Sequence, residues 1–363
     1  MAISLRVAPQ QTARIGLKAE TTFGAGIDTD ATDTTNYLIQ PSLSPPPPPT
    51  WNTFRESRLT AGRGTVKNAA DTIVNQRGGT ITMPFEMYAT PRTLAQHCLL
   101  VGQENGQSGS IIHEMEIDGS SNPTSIGEAI GGDGIPHSCN LMWDPTNSVG
   151  EGTRVAGVIC SDLNIAGDIA SNNGNLVISG NYFSGFSNPV ATATVNEVDF
   201  NGTMVASETT YYQMHNMSTK TLTSDDDSSI MIIKSFNFNI ANGVTRIGHN
   251  TNGDAEGYAF TEYLVTGNLV IKYDDEFDYG AANNVLQDFL DGDTLSLAIH
   301  IGDGTVSSEG ECNITAQIQY TGTPGLDFGE DGIYHNLPFE CVQNSSTEAF
   351  KITSFKNEAV TAW

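Results

Sequence analysis

Four groups of neighbouring carboxylates are the residues best placed by type and spacing to do chemistry: Asp28, Asp30 and Asp33; Asp225, Asp226 and Asp227; Asp274, Asp275 and Glu276; and Glu330 with Asp331. Two carboxylates held a few ångströms apart can serve as the acid and base of a glycosidase, and a denser cluster can hold calcium. None of the four continues into the twelve-residue calcium loop, with its alternating Asp/Asn, central Gly and distal Glu. The chain has 42 acidic residues, so runs of this kind arise by chance and read as solvated surface. The 7 histidines are scattered, and the 5 cysteines (Cys98, Cys139, Cys160, Cys312, Cys341) never fall in a C-x-x-C pair. They are expected to be small buried apolar side chains in a reducing compartment rather than zinc ligands or a disulfide frame. G-x-S-x-G, G-x-x-x-x-G-K, H-E-x-x-H and a G-x-G-x-x-G in strand–helix context are all missing. The sequence therefore predicts no catalytic residue, no metal and no cofactor.

Charge narrows the partners. The 363 residues carry a formal net charge of −26, which disfavours a basic clamp on phosphate backbones. The imbalance is uneven: residues 1–92 hold nine basic and seven acidic residues, and the remainder holds seven basic and 35 acidic ones. Within the near-neutral quarter, Pro45 to Pro49 must form polyproline II, about 15 Å long at ~3.1 Å per residue. This run predicts a stiff projecting arm over about 41–70. It is followed by Trp51, Phe54, Arg55, Arg58 and Arg63, residue types that favour subunit contacts. No stretch approaches 18 apolar residues, so no membrane insertion is expected, and the opening residues lack a secretory pattern.

The elements that must position these residues are mostly strands. Residues 11–24 alternate polar and apolar, as do 79–88, where Pro84 suggests an edge or bulge. A helix follows: Thr90 is a good cap, Pro91 suits the first turn, and Leu94, His97, Cys98 and Val101 form an apolar stripe before Gly102. His97 reads as a satisfied, semi-buried residue. From residue 110 onward, alternating runs separated by Gly, Asn, Asp and Ser predict antiparallel sheets. A second helix is expected at about 279–291, with Ala281, Val285, Leu286, Phe289 and Leu290 on its core face. There is also an internal repeat: Asp162–Ala166 followed by Gly174–Ile178 recurs as Asn237–Ala241 followed by Gly267–Ile271. A Gly-led strand before a helix also occurs twice, at 79–101 and 267–291. These matches predict a mainly β chain of two related β-barrel or sandwich units, each with a short flanking helix. The units are placed at 1–205 and 230–363, joined by a polar acidic connector at 206–229.

Several stretches together resemble the major tail tube proteins of long-tailed (siphovirus-type) double-stranded DNA bacteriophages. Arg14-Ile-Gly-Leu-Lys-Ala-Glu-Thr-Thr-Phe-Gly24 looks like that family's opening strand, and Arg77–Tyr88 with the helix from Pro91 to Gly102 like its Gly-led strand and leucine-bearing helix. Gly157–Ile165 with Gly174–Gly180 is similar to its central hairpin, and Gly332–Cys341 with Phe350–Asn357 to its closing strands. The resemblance implies a structural virion protein, assembled in the host cytoplasm. Its sheets join into hexameric rings, or trimeric rings with pseudo-sixfold symmetry, that stack head to tail into a tube. It also implies tape measure, terminator and tip proteins as partners, and viral DNA passing through unbound during ejection. An acidic wall suits such a conduit, because it repels phosphate where a basic one would hold it. On this reading Asp225–Asp227 and Asp274–Glu276 are candidate lumen or ring-face patches. The arm residues Trp51, Phe54, Arg55, Arg58 and Arg63 would reach the acidic face of the next ring. The alternative is a non-enzymatic adhesin or carbohydrate-binding module, supported by the turns, the acidity and the scattered tryptophans.

Overall fold

The computed structural model describes residues 13–20, 23–24, 35–40, 42–52, 55–57, 72–74, 80–104, 112–117, 136–144, 153–186, 199–201, 211–224, 227–249, 254–261, 263–273, 277, 284–302, 310–329, 332–343 and 349–355. The first half contains β1 (Arg14–Ala19), β2 (Thr35–Ile39), β3 (Thr50–Asn52), β4 (Arg55–Ser57), β5 (Thr72–Val74), β6 (Thr80–Tyr88), α1 (Pro91–Val101), β7 (Gln103–Glu104), β8 (Ile112–Ile117), β9 (Cys139–Asp144), β10 (Thr153–Asp168), β11 (Val177–Ser184) and β12 (Asp199–Asn201). The second half contains β13 (Met217–Ser224), β14 (Asp227–Ile230), β15 (Ile233–Ala241), β16 (Thr245–Ile247), β17 (Gly257–Ala259), β18 (Leu264–Lys272), α2 (Val285–Asp291), β19 (Leu295–Ile301), β20 (Cys312–Tyr320), β21 (Gly325–Gly329), β22 (Gly332–Cys341) and β23 (Phe350–Phe355). The chain is mainly β, as its alternation predicts.

Eight antiparallel strands form the centre, in the order β3-β6-β11-β10-β15-β18-β22-β21. The far end of β22 also joins β20, which leads on one side through β19 to β13 and β14, and on the other to β23, β8 and β7. The first part of the 16-residue β10 pairs instead with β9, which continues to β1, β2 and the parallel strand β12. The segment 206–229, expected as a connector, therefore contributes β13 and most of β14 to the sheet, and the ladders run without a break across the expected domain boundary.

The central eight strands have an internal twofold. In the β10–β15 ladder Asp162 faces Ala241, Asn164 faces Asn239 and Ala166 faces Asn237, so the repeat matched at 162–166 and 237–241 meets itself across an axis at the Asn164–Asn239 pair. The outer strands repeat the same register. Gly180 lies opposite Leu163 and Phe85, and Gly267 opposite Phe238 and Phe339; Asn181 faces Pro84, and Asn268 faces Pro338. At the margins Thr50 faces Thr82, and Gly325 faces the equivalent Asn336. Both glycines are obligatory, because a Cβ on Gly180 would sit 2.1 Å from the Asp162 carbonyl oxygen and one on Gly267 would sit 2.4 Å from the equivalent Asn237 oxygen. The proline expected at an edge or bulge lies on the outer side of β6, and Pro338 lies between the stretches of β22 paired to β21 and β20. There a missing N–H costs no ladder bond.

The second sequence match does not hold in register. Gly174 ends a 3-10 turn at φ +74, and the true counterpart of Gly267-Asn268 is Gly180-Asn181. Likewise, the counterpart of β6 is β22, with Met83-Pro84-Phe85-Glu86 matching Leu337-Pro338-Phe339-Glu340, so the two strand-then-helix stretches are not equivalents. Chain order explains the last mismatch: the hairpins β10-β11 and β15-β18 run in the same order, but β6 precedes its hairpin whereas β22 follows its own, a permuted order that a search for tandem repeats reads past.

The helix α1 forms as predicted. The Thr90 hydroxyl accepts the Thr93 N–H at 3.1 Å while the Thr93 hydroxyl accepts the Thr90 N–H at 2.8 Å, a reciprocal cap, and Gly102 follows the last turn. All eleven of its residues are buried, which makes it a core helix rather than a half-exposed one. His97 accordingly has no exposed surface. Its Nδ1–H donates to the Thr93 carbonyl at 2.7 Å, which leaves Nε2 to accept the Tyr182 hydroxyl at 2.6 Å. Burial holds this ring neutral, with its pKa lowered to about 4. The helix α2 is shorter than expected: Asn284 caps it, and the left-handed Gly292 ends it after Asp291. Val285 is buried there, but Leu290 is 66% exposed, which corrects its assignment to the core face.

Candidate functional site

The central sheet has two unlike faces, and strand alternation assigns every side chain to one of them. Inward lie Met83, Phe85, Ile178, Tyr182, Leu163, Ile165, Phe238, Ile240, Leu269, Leu337 and Phe339, all in the main core. Outward, at the alternate positions, lie Pro84 and Glu86 on β6, Ser179 and Asn181 on β11, Asp162, Asn164 and Ala166 on β10, Asn237 and Asn239 on β15, Thr266 and Asn268 on β18, and Asn336, Pro338 and Glu340 on β22. None of these outward residues is basic. Lys272 occupies the same face only at its rim.

Amide, hydroxyl and backbone N–H groups hold Asp162 and Asp168 on this face. Asn181 Nδ2 donates to both oxygens of Asp162, at 3.1 and 3.2 Å, and the Ser161 hydroxyl adds a bond of 2.9 Å. Asp168 takes the Ala170 N–H at 2.8 Å and the Ser171 hydroxyl at 3.1 Å, which fixes the turn below β10. An open groove runs along the face, lined by Glu86, Asn164, Asp168, Asn172, Asn237 and Asn268 among others. Phe236, its aromatic residue, is buried, so the groove offers no stacking platform for a sugar ring. The wall it presents is acidic and rich in amides. Such a surface hydrogen-bonds water freely and repels polyanions.

Little of the sequence-predicted site falls where its side chains can be described. In β3, the backbone at Trp51 pairs with Ile81, and in β4 that at Arg55 pairs with Val74. Phe54, Arg58 and Arg63 lie outside the described residues, as do Asp225, Asp226, Asp274, Asp275 and Glu276. Asp227 opens β14, opposite Ser224. The start of the expected arm does not project. Pro46 and Pro49 are buried while Pro45, Pro47 and Pro48 are exposed, and the Pro46 carbonyl accepts the Trp143 indole N–H at 3.0 Å. Polyproline II repeats every three residues, so one of its faces lies flat on the body.

Two buried polar centres support the frame. The Glu20 carboxylate accepts the N–H of Gly24 at 3.0 Å, the N–H of Gly157 at 2.7 Å and the Ser138 hydroxyl at 2.5 Å. Burial raises its pKa, and these three donors pull it back. It ties the end of β1 to the bend in β10, where Gly157 takes φ +60. In the other centre the Ser218 hydroxyl meets His300 Nδ1 at 2.9 Å, and His300 Nε2 meets Glu311 Oε2 at 2.5 Å. A serine, a histidine and a carboxylate in series is the pattern of a hydrolytic nucleophile. Here Ser218 sits at a ladder irregularity on the sheet face, outside the groove, and the nearby Gly302 N–H is spent on the Asn216 carbonyl at 2.9 Å rather than aimed at an oxyanion. The chain joins β13, β19 and the start of β20.

Among the described residues no group of three His, Cys, Asp or Glu converges to hold a metal, and no described helix is long and apolar enough to cross a membrane. Cys98, Cys139, Cys160 and Cys312 are buried free thiols and Cys341 is half-buried; burial pushes all five up, Cys341 to about 12. No protein-family model and no curated protein sequence matches this chain. The amide-rich face was visible in the sequence as asparagines at every second position, as in Asn237-Phe-Asn239. It was missed as a surface because alternation alone does not say which strands adjoin.

Proposed function

We propose that this chain is a non-enzymatic structural subunit that self-assembles into the stacked rings of a phage tail tube, whose lumen wall is the outward face of the central sheet. The observation that carries this reading is that face: amides and carboxylates across six adjacent strands, with no basic residue until the rim. Duplex DNA bears about one negative charge per 1.7 Å, and it slides past a wall that releases no counterions. The resemblance supplies the ring, the stacking and the tape measure, terminator and tip partners.

The internal twofold bears on ring size. A trimer with pseudo-sixfold symmetry needs the two halves of each chain to be related by rotation about the tube axis, which leaves equivalent strands pointing the same way. The equivalent strands β10 and β15 run antiparallel. The halves are inverted relative to each other, so the whole chain is one ring position and six chains per ring is the supported count. Negative-stain electron microscopy of concentrated protein should show hollow stacked rings with sixfold end views. A dispersed monomer in every salt condition, with binding on a glycan array, would replace this reading with the adhesin alternative.

A further inference from the structure

The outward face of the central sheet reads the same from either side. One row of cross-strand neighbours runs straight across it: Glu86, Ser179, Asn164, Asn239, Thr266 and Glu340, each directly opposite the next. Its ends are glutamates, its centre is a pair of asparagines and hydroxyls lie between, so the row is a palindrome about the Asn164–Asn239 pair. The two flanking rows are each other's reverse. On one side, starting from β6, Pro84, Asn181, Asp162 and Ala241 face one another in turn. On the other side, starting from β22, Pro338, Asn268, Asn237 and Ala166 do the same. Of these four pairs only Asp162 against Asn237 differs. The twofold that exchanges two adjacent antiparallel strands stands perpendicular to their sheet, so it governs the solvent-facing side chains as fully as the buried ones.

The charges of the six strands from β6 to β22 follow the same plan. Glu86 and Glu340 are twofold mates in the central row, five strand spacings or roughly 24 Å apart at about 4.7 Å each. The other two carboxylates of this face, Asp162 and Asp168, are both on β10, with Asn164 between them. At about 3.3 Å per residue they stand roughly 7 Å to one side of the central row and roughly 13 Å to the other. Lys272 is at the rim, two residues beyond the level of Asp168. The carboxylates are thus divided as two on the central row and one on each side of it, and neither end of the wall collects them.

We infer that this wall is blind to direction: duplex DNA entering from either end meets the same order of carboxylates, amides and hydroxyls, so the wall does not select between passage one way and the other. The inference rests on the tube reading, with this face turned to the lumen. There the normal to the sheet is a radius of the tube, and a half-turn about a radius exchanges the two ends of the tube whatever the tilt of the strands. Repeated by every chain of a ring, these local twofolds give the lining two equivalent ends. A ring stack held by heterologous contacts has a head and a tail. In this protein that polarity is carried by surfaces outside the wall, and the lining adds no electrostatic slope along the path.

The test reads ionic current through single assembled tubes seated in a pore of matching width, at equal voltages of either sign. Potassium chloride at about 0.01 M gives a screening length of about 30 Å, so wall charge acts across the lumen. Glu86→Gln and Glu340→Gln together remove a twofold-related pair; the current should fall while the forward-to-reverse ratio stays within about 10% of wild type. Asn268→Asp adds a charge without a mate and should shift that ratio by about 1.5-fold. If the double variant does not assemble, Ser179→Asp with Thr266→Asp adds a twofold-related pair instead, and the current should rise at constant ratio. A ratio that moves as far with either paired change as with Asn268→Asp would overturn the inference and leave the tube reading intact. Tubes in which Asn268→Asp alters neither current nor ratio would place this face away from the lumen and overturn the inference together with the wall assignment. Protein that forms no tubes at all would refute the tube reading and the inference with it.

Discussion

His97 should make the native state acid-sensitive by an amount that can be worked out. Its ring is fully buried, its Nδ1–H is committed to Thr93 and its Nε2 accepts from Tyr182, so the imidazolium would lose an acceptor relation and gain none. The unfolded chain takes up this proton as pH falls through 6.5, and the native ring refuses it until about 4. The native pKa is the depressed one, so the contribution to stability is fully present above 6.5 and is lost progressively on the way down to 4. Between pH 8 and pH 5 the loss is about 2 kcal/mol, and it approaches about 3 kcal/mol by pH 4. Glu20 acts with the opposite sign, since its native pKa is raised, but it is common to wild type and variant. The measurement is urea unfolding at pH 8, 6.5 and 5 for wild type and His97→Gln, comparing how each loses stability. The wild type should lose about 2 kcal/mol more than the variant over that range. Equal slopes, or an imidazole resonance that titrates near 6.5 in the folded protein, would sink the argument.

Three other outcomes are expected. Gly180→Ala and Gly267→Ala should each destabilise by ~2–4 kcal/mol, and by similar amounts, because each new Cβ meets an equivalent carbonyl oxygen at 2.1 or 2.4 Å; a loss below 1 kcal/mol at either site in thermal unfolding would break the twofold equivalence. Asn242→Ala should cost about 3 kcal/mol by the same assay, since the buried amide bonds the Val101 carbonyl at 3.0 Å and the Cys160 carbonyl at 2.7 Å, coupling the end of α1 to β10. A fluorophosphonate probe should leave Ser218 unlabelled in intact protein, and stoichiometric labelling detected by mass spectrometry would reopen the hydrolase reading.

Local features of this chain were legible because local rules set them. Thr90 and Pro91 marked the start of α1 and Gly102 its end, and the alternation in Thr80–Tyr88 gave both the strand and its buried residues. The repeat at 162–166 and 237–241 was equally plain. What it meant was not, because antiparallel pairing of a repeat with itself is a tertiary fact. The Met-Pro-Phe-Glu and Leu-Pro-Phe-Glu counterparts lie at opposite ends of the chain and in permuted order. The proline run shows another limit: its conformation follows from φ, but whether its three-residue face meets solvent or Trp143 depends on strands far away. Of the carboxylate clusters that looked most like chemistry, all but Asp227 lie outside the described residues, whereas the candidate wall is made largely of asparagines, which no catalytic template would select.

The distribution of thiols gives the molecule a built-in set of clocks. Cys98 on α1, Cys139 on β9, Cys160 on β10 and Cys312 on β20 are each silent towards alkylating reagents while their element stays packed, and Cys341 on β22 is nearly so. A thiol reacts only when its own strand or helix opens. The order in which five alkylated peptides appear during a slow denaturant exposure therefore records the sequence in which the sheet comes apart, without any label being introduced. If the ladders around the twofold hold the molecule together, Cys160 reports last. In assembled material the same reading becomes a map of which strands a neighbour protects.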